Sequence, residues 1–396
     1  MSPLSIAVVG AGIGGLTAAL ALSGAGHSVT LIERRTGFSE VGAGLQISPN
    51  ASRILIELGL GSALRRAANE PPGVAIRDLA NGRALGGIEL GPSIRERHGA
   101  PYYVIHRADL QTLLLDAVRG RSGIRLLVGR EVVAVDETPT GVSLTLESVA
   151  GGRGDTIEAD LAVGADGVRS GLRARFDARP LRAHRQAAWR ATIPREAAPA
   201  ELQGDETGLW LGHGRHVVHY PIAAGQRLNV VAVVPERVGD DDWGRLGDPA
   251  VLRDHFRNAA EPLGSLLAVP DTWMVWSLVD RPATAPMASG RVALIGDAAH
   301  PVLPFLAQGA AMAIEDAAVL TRCLSSGVGV PDALTAFAEA RGERVRRVWK
   351  AARSNGRAYH AGPLVGLARN AVMRRLGPAG MSRRYAWLYG WTPDTV

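Results

Sequence analysis

The chain has 396 residues, 46% of them hydrophobic and 21% charged, with a formal net charge of +6 and one cysteine. That length supports one large or two moderate cores, and the composition excludes a disordered or fibrous chain. A lone thiol, Cys323, excludes an internal disulfide and a cysteine-built zinc or iron–sulfur site. The expectation is therefore a reducing, cytoplasmic compartment and electrons brought by an organic carrier.

The first predicted element is a β-branched strand, Ile6 to Val9, followed by Gly10, Gly12 and Gly15 on the spacing G-x-G-x-x-G. Ile13 and Gly14 sit inside that spacing, a helix continues through Leu16 to Leu22, and a second strand runs from Ser28 to Ile32. Ile6 to Leu22 carries no charge, so a membrane segment competes. Interrupting glycines, with neither a basic stretch nor a small-residue cleavage site, oppose it. Gly10 suits the tight turn, Gly12 lets backbone approach a pyrophosphate at the positive helix end, and Gly15 allows close helix–strand packing. Glu33, closing the second strand, suits hydrogen bonds from a ribose hydroxyl and would repel a 2′-phosphate. These features predict a bound dinucleotide without separating FAD from NAD.

Two later stretches repeat the strand-into-glycine pattern: "DLAVGADGVRS" (Asp160 to Ser170) and "GRVALIGDAAHPVLPFLAQGAAMAIEDAAVLTRCL" (Gly290 to Leu324). Between Arg182 and Val279 the helix period fades. Runs such as "AAWRATI", "RHVVHYP", "RLNVVAVV" and "TWMVWSLV" predict a mostly antiparallel sheet. In "GHGRHVVHYP", strand alternation puts His216, Val218 and Tyr220 on one face and His219 on the other. That parity, with no acidic ligand positioned, argues against a metal site at His213, His216 and His219, and no metal is expected. Near the C-terminus, Arg341, Arg344, Arg346, Arg347, Lys350, Arg353 and Arg357 fall on one predicted helix. Lacking a stacking platform beside it, this helix reads as a solvated face and not a nucleic-acid surface.

Taken as a set, Gly10-x-Gly12-x-x-Gly15, Glu33-Arg34, "GAGLQISPNA" (Gly42 to Ala51), "HRADL" (His106 to Leu110), Asp166-Gly167, "RHVVHYP" (Arg215 to Pro221) and "GDAAHP" with "QGAAMAIEDA" resemble the class A flavoprotein aromatic hydroxylases, which include salicylate hydroxylase and 6-hydroxynicotinate 3-monooxygenase. The resemblance runs from about Leu4 to about Arg347. It implies an α/β fold like that of p-hydroxybenzoate hydroxylase: a Rossmann-type FAD-binding domain interleaved with a mostly antiparallel substrate domain, then a C-terminal helical segment. The expected division is FAD binding over 1–70, 106–180 and 286–330, substrate strands over 71–105 and 181–285, and helices over 331–396.

The same resemblance implies FAD held by Glu33 at the ribose, Arg34 beside the adenine, backbone near Val132, Arg107 at the ribityl–phosphate region and Asp297 at a ribityl hydroxyl. Gln308, Gly309 and Ala310 would meet the flavin edge, Leu45 and Gln46 the flavin and pocket wall, and Asp166 both FAD and the nicotinamide donor. No second G-x-G-x-x-G unit follows, which suits a transient NADH or NADPH. The relatives place a His and a Tyr four apart in the substrate pocket, as His216 and Tyr220 are here. His216 would take a phenolic proton, and Pro304 would offer a carbonyl. The implied reaction uses O2 and a flavin hydroperoxide to hydroxylate a small aromatic substrate, a phenol, hydroxybenzoate or hydroxypyridine. Alternatives are epoxidation, halogenation or reduction on the same scaffold, and a non-catalytic NAD-binding regulator. Neither nucleic acid nor membrane is an expected partner, and a homodimer is compatible. Arg190, Tyr103 and His98 are unranked candidates for holding the substrate. The final "YAWLYGWTPDTV" is assigned to either the pocket or a dimer contact.

Overall fold

The computed structural model describes residues 3–38, 43–151, 154–237, 239 and 244–395. Gly42 and Val396, both in stretches quoted above, lie outside the described residues.

The β-branched strand Ser5–Val9 is buried from Ile6 onward and sits inside a six-stranded sheet. The order is Ala288–Ser289, Val292–Leu294, Leu161–Gly164, Ser5–Val9, Ser28–Glu33, Ile124–Val128. Every pairing is parallel except the short edge pair. Helix α1 (Ile13–Gly24) links the first two strands in sequence, and its apolar residues are buried almost throughout. From Ser5–Val9 the chain extends the sheet in both directions. The carboxyl ends of Ser5–Val9 and Leu161–Gly164 therefore part around a crevice, the position where open α/β sheets bind ligands.

Close approach dictates two of the glycines. Gly10 adopts φ +101°, and a Cβ there would stand 2.5 Å from the Ala165 carbonyl oxygen. A Cβ on Gly15 would stand 1.8 Å from the Gly10 carbonyl oxygen, so α1 lies on the turn at a distance only glycine permits.

The second sheet has eight strands in the order Arg245–Gly247, Trp273–Asp280, Arg182–Pro194, Arg227–Pro235, Arg215–Ile222, Thr207–Gly212, Gly73–Asp78, Ala84–Glu89. It is antiparallel apart from the pair Thr207–Gly212 with Gly73–Asp78. One face carries Trp189, Trp210, Val217, Val230 and Trp273 into an apolar cluster with Leu252, Leu263 and Leu266. The other face turns Arg190, His216, Val218, Tyr220, Val231 and Val233 toward the crevice. The expected α/β architecture, with a mostly antiparallel second sheet and a helical C-terminus, is the one observed.

Helix α2 (Arg107–Arg119) packs on α1. Helices α3 (Gly309–Leu324) and α4 (Val330–Tyr359) complete the layer beyond, followed by α5 (Pro363–Arg383). Here one expectation fails. The basic helix is not a uniformly solvated face, because Arg341 is fully buried and Arg344 is 7% exposed, while Arg346, Arg347, Lys350 and Arg357 remain exposed. The cause lies on α3, where Glu315 and Asp316 are also fully buried. Arg341 donates to Glu315 at 2.8 Å and to Asp316 at 2.6 Å, and Arg344 donates to Glu315 at 2.7 Å. The C-terminal aromatics cover this cluster. Trp391 stacks over Arg341 and Arg344, and Trp387 over Arg344 and Arg347. Among the described residues that segment lines no part of the cavity at the crevice.

Gly15→Ala is expected to abolish the folded state, read as loss of soluble protein or of the thermal transition. Burial alone would raise Asp316, but His300, Arg341 and the Gly296 N–H hold its carboxyl at about 2, below the ordinary 3.8. Its stabilisation is thus complete above about pH 4 and is lost as the pH falls toward 2. Asp316→Asn should cost about 3–5 kcal/mol at neutral pH, the scale of a broken buried ion pair. The gap from wild type should shrink across that acidic window in denaturant titrations.

Candidate active site

Two cavities of about 290 and 320 Å³ share Gly12, Arg107, Ala165 and Gly167 in their walls and form one elongated space at the crevice. Gly10, Glu33, Arg34, Val132 and Asp166 line one end. The other end is lined by Ile13, Gly14, Leu45, Gln46, Asp297, Gly309, Ala310, His216, Tyr220 and Pro304. Residues drawn from across the sequence, far apart in the chain, are thus brought to one space.

Two of the expected set are elsewhere. Gly15 packs on Gly10 beneath the turn. The Gln308 side chain, 2% exposed, turns from the cavity to donate to Ser48 at 2.9 Å and accept from Asn50 at 3.1 Å. Its backbone is the N-cap of α3.

The three unranked substrate anchors separate cleanly. Arg190 lines the cavity. Tyr103 points off the strand Tyr103–His106 toward Glu70 and Arg95, whereas its neighbour Tyr102 donates to Gln46 at 2.6 Å. His98 packs edge-on against Tyr389. Arg190 stacks over Trp276 at 5.1 Å, its Nε is buried without a hydrogen-bond partner, and no acidic residue pairs with it among the described residues. Burial pulls it below the usual guanidinium range; Tyr220 opposes this and Arg107 reinforces it. A guanidinium in such surroundings favours an anion.

The histidines obey the predicted parity. His216 faces the cavity, His219 points to the opposite face against Gly208 and Arg77, and His213 lines a separate surface groove. Burial, reinforced by His360, lowers His216 well below the ordinary imidazole value, so the ring is neutral. Its Nδ1 lies 2.8 Å from His360 Nε2, which leaves Nε2 for a molecule in the cavity. Burial raises the Tyr220 hydroxyl, against the pull of Arg190 and Gln46, so Tyr220 is a neutral phenol.

The sequence reading missed Asn229. It is fully buried, and its Oδ1 accepts from the Gly44 N–H at 2.7 Å, tying the strand Gly44–Ile47 to the large sheet beside Tyr220. A Cβ on Gly44 would stand 2.5 Å from the Tyr220 ring, so this contact also fixes the tyrosine. A lone Asn inside "RLNVVAVV" was the available signal, because a buried amide needs a partner.

The space fits a flavin dinucleotide on the structure's own terms. A Cβ on Gly12 would meet nothing within 4 Å, so the backbone is bare where a diphosphate would approach. Asp166 Oδ1 is buried without a partner. Gly309 and Ala310 bring the start of α3, which has no side-chain cap, to the cavity, aiming unpaired N–H groups at any electron-rich ring there. Asp297 faces the cavity, and burial raises its carboxyl. Among the described residues no three His, Cys, Asp or Glu side chains could together hold a metal ion, and no helix is long and apolar enough to cross a membrane.

Comparison with known proteins agrees with this geometry. A family model described as FAD binding domain matches residues 4–352. The chain is 33% identical over 390 residues to 3-hydroxybenzoate 6-hydroxylase of Polaromonas naphthalenivorans (strain CJ2), covering 98% of this chain and 96% of that one. It is 36% identical over 393 residues to 3-amino-4-hydroxybenzoate 2-monooxygenase PtnB3 of Streptomyces platensis, covering 99% and 97%. Among solved structures, a salicylate hydroxylase substrate complex superposes with a TM-score of 0.83 at 26% identity, covering 100% of this chain and 97% of that one.

Gly12 is extended, with φ −76° and ψ −175°, a conformation open to β-branched residues. Gly12→Val should therefore leave the melting temperature nearly unchanged while cutting retained flavin about tenfold or more, the scale of a 1–3 kcal/mol steric penalty. Flavin absorbance per mole of purified protein checks this.

Proposed function

This chain belongs to the FAD binding domain family, and from that premise we propose that it hydroxylates an activated phenol carrying an anionic ring substituent. The enzyme is an FAD-dependent aromatic monooxygenase. Overall, substrate, O2, NAD(P)H and a proton yield hydroxylated product, NAD(P)⁺ and water. A carboxylate matches the ring substituents of the substrates in the names of its relatives. The observation that carries the substrate class is Arg190, a cavity-facing guanidinium on the same sheet face as His216 and Tyr220 with no acidic partner of its own among the described residues. A cytoplasmic location completes the proposal, supported by the single thiol.

When bound, FAD supplies the activation of dioxygen with electrons taken from NAD(P)H. The chain's residues do the rest. Arg190 pairs with the ring's anion and sets which edge points inward. His216 accepts the phenolic proton at Nε2 when its neutral ring carries its own proton at Nδ1. Loss of the phenolic proton makes the substrate ring electron-rich at the carbon to be hydroxylated. Tyr220 donates a hydrogen bond to the resulting oxyanion. Val218, Val231 and Val233 make an apolar wall that excludes water and suppresses unproductive loss of the oxidant as hydrogen peroxide.

The purified protein should be yellow and release FAD on heating. NAD(P)H oxidation should be stimulated by 3-hydroxybenzoate, salicylate or 3-amino-4-hydroxybenzoate, with product mass higher by one oxygen; stimulation by none of a panel of phenols would overturn the assignment. Arg190→Met should raise KM for carboxylated phenols about 10–100-fold, matching the roughly 1.5–3 kcal/mol of a charged hydrogen bond. KM for the decarboxylated analogues should barely change.

A further inference from the structure

A proton delivered to His216 has no acid–base group to stay on. Burial keeps that ring neutral, and His360, the group it touches, is also held low, at about 4, by burial. The geometry shows where the proton can go. His216 Nδ1 lies 2.8 Å from His360 Nε2, and His360 Nδ1 lies 2.8 Å from the Gln186 amide nitrogen Nε2. His360 and Gln186 line a different cavity, of about 390 Å³, bordered by Arg353 and the exposed Arg357. That cavity shares no lining residue with the catalytic one.

We propose that His216, His360 and Gln186 form a proton exit joining the catalytic cavity to this second, solvent-facing cavity. It rests on the reading of His216 as the group that takes the phenolic proton. His360 lies beyond residue 352, where the family match ends, so membership of the family does not assign it.

Aromatic rings pack around this pair. Phe305 and Tyr359 meet the His216 ring edge-on at 5.6 and 5.4 Å, and Phe305 meets His360 at 5.4 Å. Gly356 makes that packing possible, since a Cβ there would stand 2.5 Å from the Phe305 ring. Asn355 donates to the Phe305 carbonyl at 3.1 Å and holds that ring in place.

The transfer balances. The substrate O–H breaks as a bond forms to His216 Nε2. The His216 Nδ1–H passes to His360 Nε2, and the His360 Nδ1–H passes to water in the outer cavity as the Gln186 amide turns away from it. Each ring ends neutral, so the only charge left in the cavity is the substrate oxyanion. This direction needs His216 bare at Nε2, which follows when the Gln186 Oε1 accepts from His360 Nδ1. In the structure the Gln186 Nε2 faces His360 Nδ1, the arrangement that sets the opposite tautomers. The path therefore opens when that amide turns over and presents its Oε1. Around the exit stand Arg353, Arg357 and His184, with Asp280 occupied by His184 and Arg353 at 2.8 and 2.7 Å. Two arginines at the rim disfavour a charge lingering on His360 and favour release.

The test is proton release on substrate binding, followed by stopped flow with a pH indicator in weakly buffered solution. Holoenzyme is mixed without NAD(P)H with 3-hydroxybenzoate, salicylate or 3-amino-4-hydroxybenzoate. Wild type should release a proton as the phenol binds. His360→Gln should release it at least about tenfold more slowly, the low end of lost acid–base assistance. Its substrate Kd and melting temperature should stay close to wild type. Release by His360→Ala should be quickened by added imidazole. Wild-type kinetics in His360→Gln, or a slow His360→Ala that imidazole leaves unchanged, would overturn the exit. If His216→Gln alone loses the release, the base assignment survives that failure. No release from wild type with any of the three phenols would overturn both.

Discussion

Glu315 and Asp316 on α3, with Arg341 and Arg344 on α4, are four charges taken almost wholly out of water. Desolvating them costs several kcal/mol each, which mutual attraction offsets only when every remaining hydrogen-bonding position is filled. They are filled: Asn50 donates to Glu315 at 2.6 Å, and Asp316 accepts from the Gly296 N–H at 2.8 Å and pairs with His300 at 2.6 Å. The partners on the other side belong to the loop that carries Asp297 and Pro304 and to the helix Pro49–Leu55. A small slide of α3 would break several of these contacts at once, so the cluster specifies position more than it adds stability. Position is what the site requires, because the start of α3 must face the cavity for its N–H groups to act there.

Glu33 illustrates the same economy at the nucleotide end. Its two oxygens accept from the Ala11 and Arg35 N–H groups at 2.8 and 2.9 Å, so the carboxylate braces the glycine turn while lying on the cavity wall. An acid at this position shapes the loop before any ribose arrives. Its role as a ribose acceptor uses lone pairs that those two bonds leave over.

What could be read from the chain was whatever local rules decide. The turn at Gly10 to Gly15 follows from backbone sterics, and the division of His216 from His219 follows from strand alternation. Both were legible. The basic helix was misjudged because solvation of an arginine depends on what packs against it, and Glu315 lies 26 residues before Arg341 on another helix. A paired Glu-Asp inside an otherwise apolar, Ala-rich run was the overlooked warning, since buried carboxylates need cations. Tyr103 was named and Tyr102 passed over, because which of two adjacent tyrosines meets Gln46 depends on how the chain enters the strand Tyr103–His106, a tertiary matter. His360 gave no signal at all: its contact with His216 spans 144 residues, and nothing around it repeats a motif.

The large sheet divides two demands that would conflict on one surface. One face, with Trp189, Trp210 and Trp273, is dry and fully packed, and it supplies the burial that holds the strands together. The opposite face holds an open cavity with a guanidinium, an imidazole and a phenol, none of which contributes comparably to the core. Because side chains alternate along each strand, Trp189 and Arg190 are consecutive yet belong to different environments, and so are Val217 and His216. The packed face keeps the strands fixed, which lets the reactive groups stand at set separations without close packing around them. A cavity able to admit an aromatic ring is costly to leave unfilled, and the sheet tolerates it because its cohesion comes from the other side.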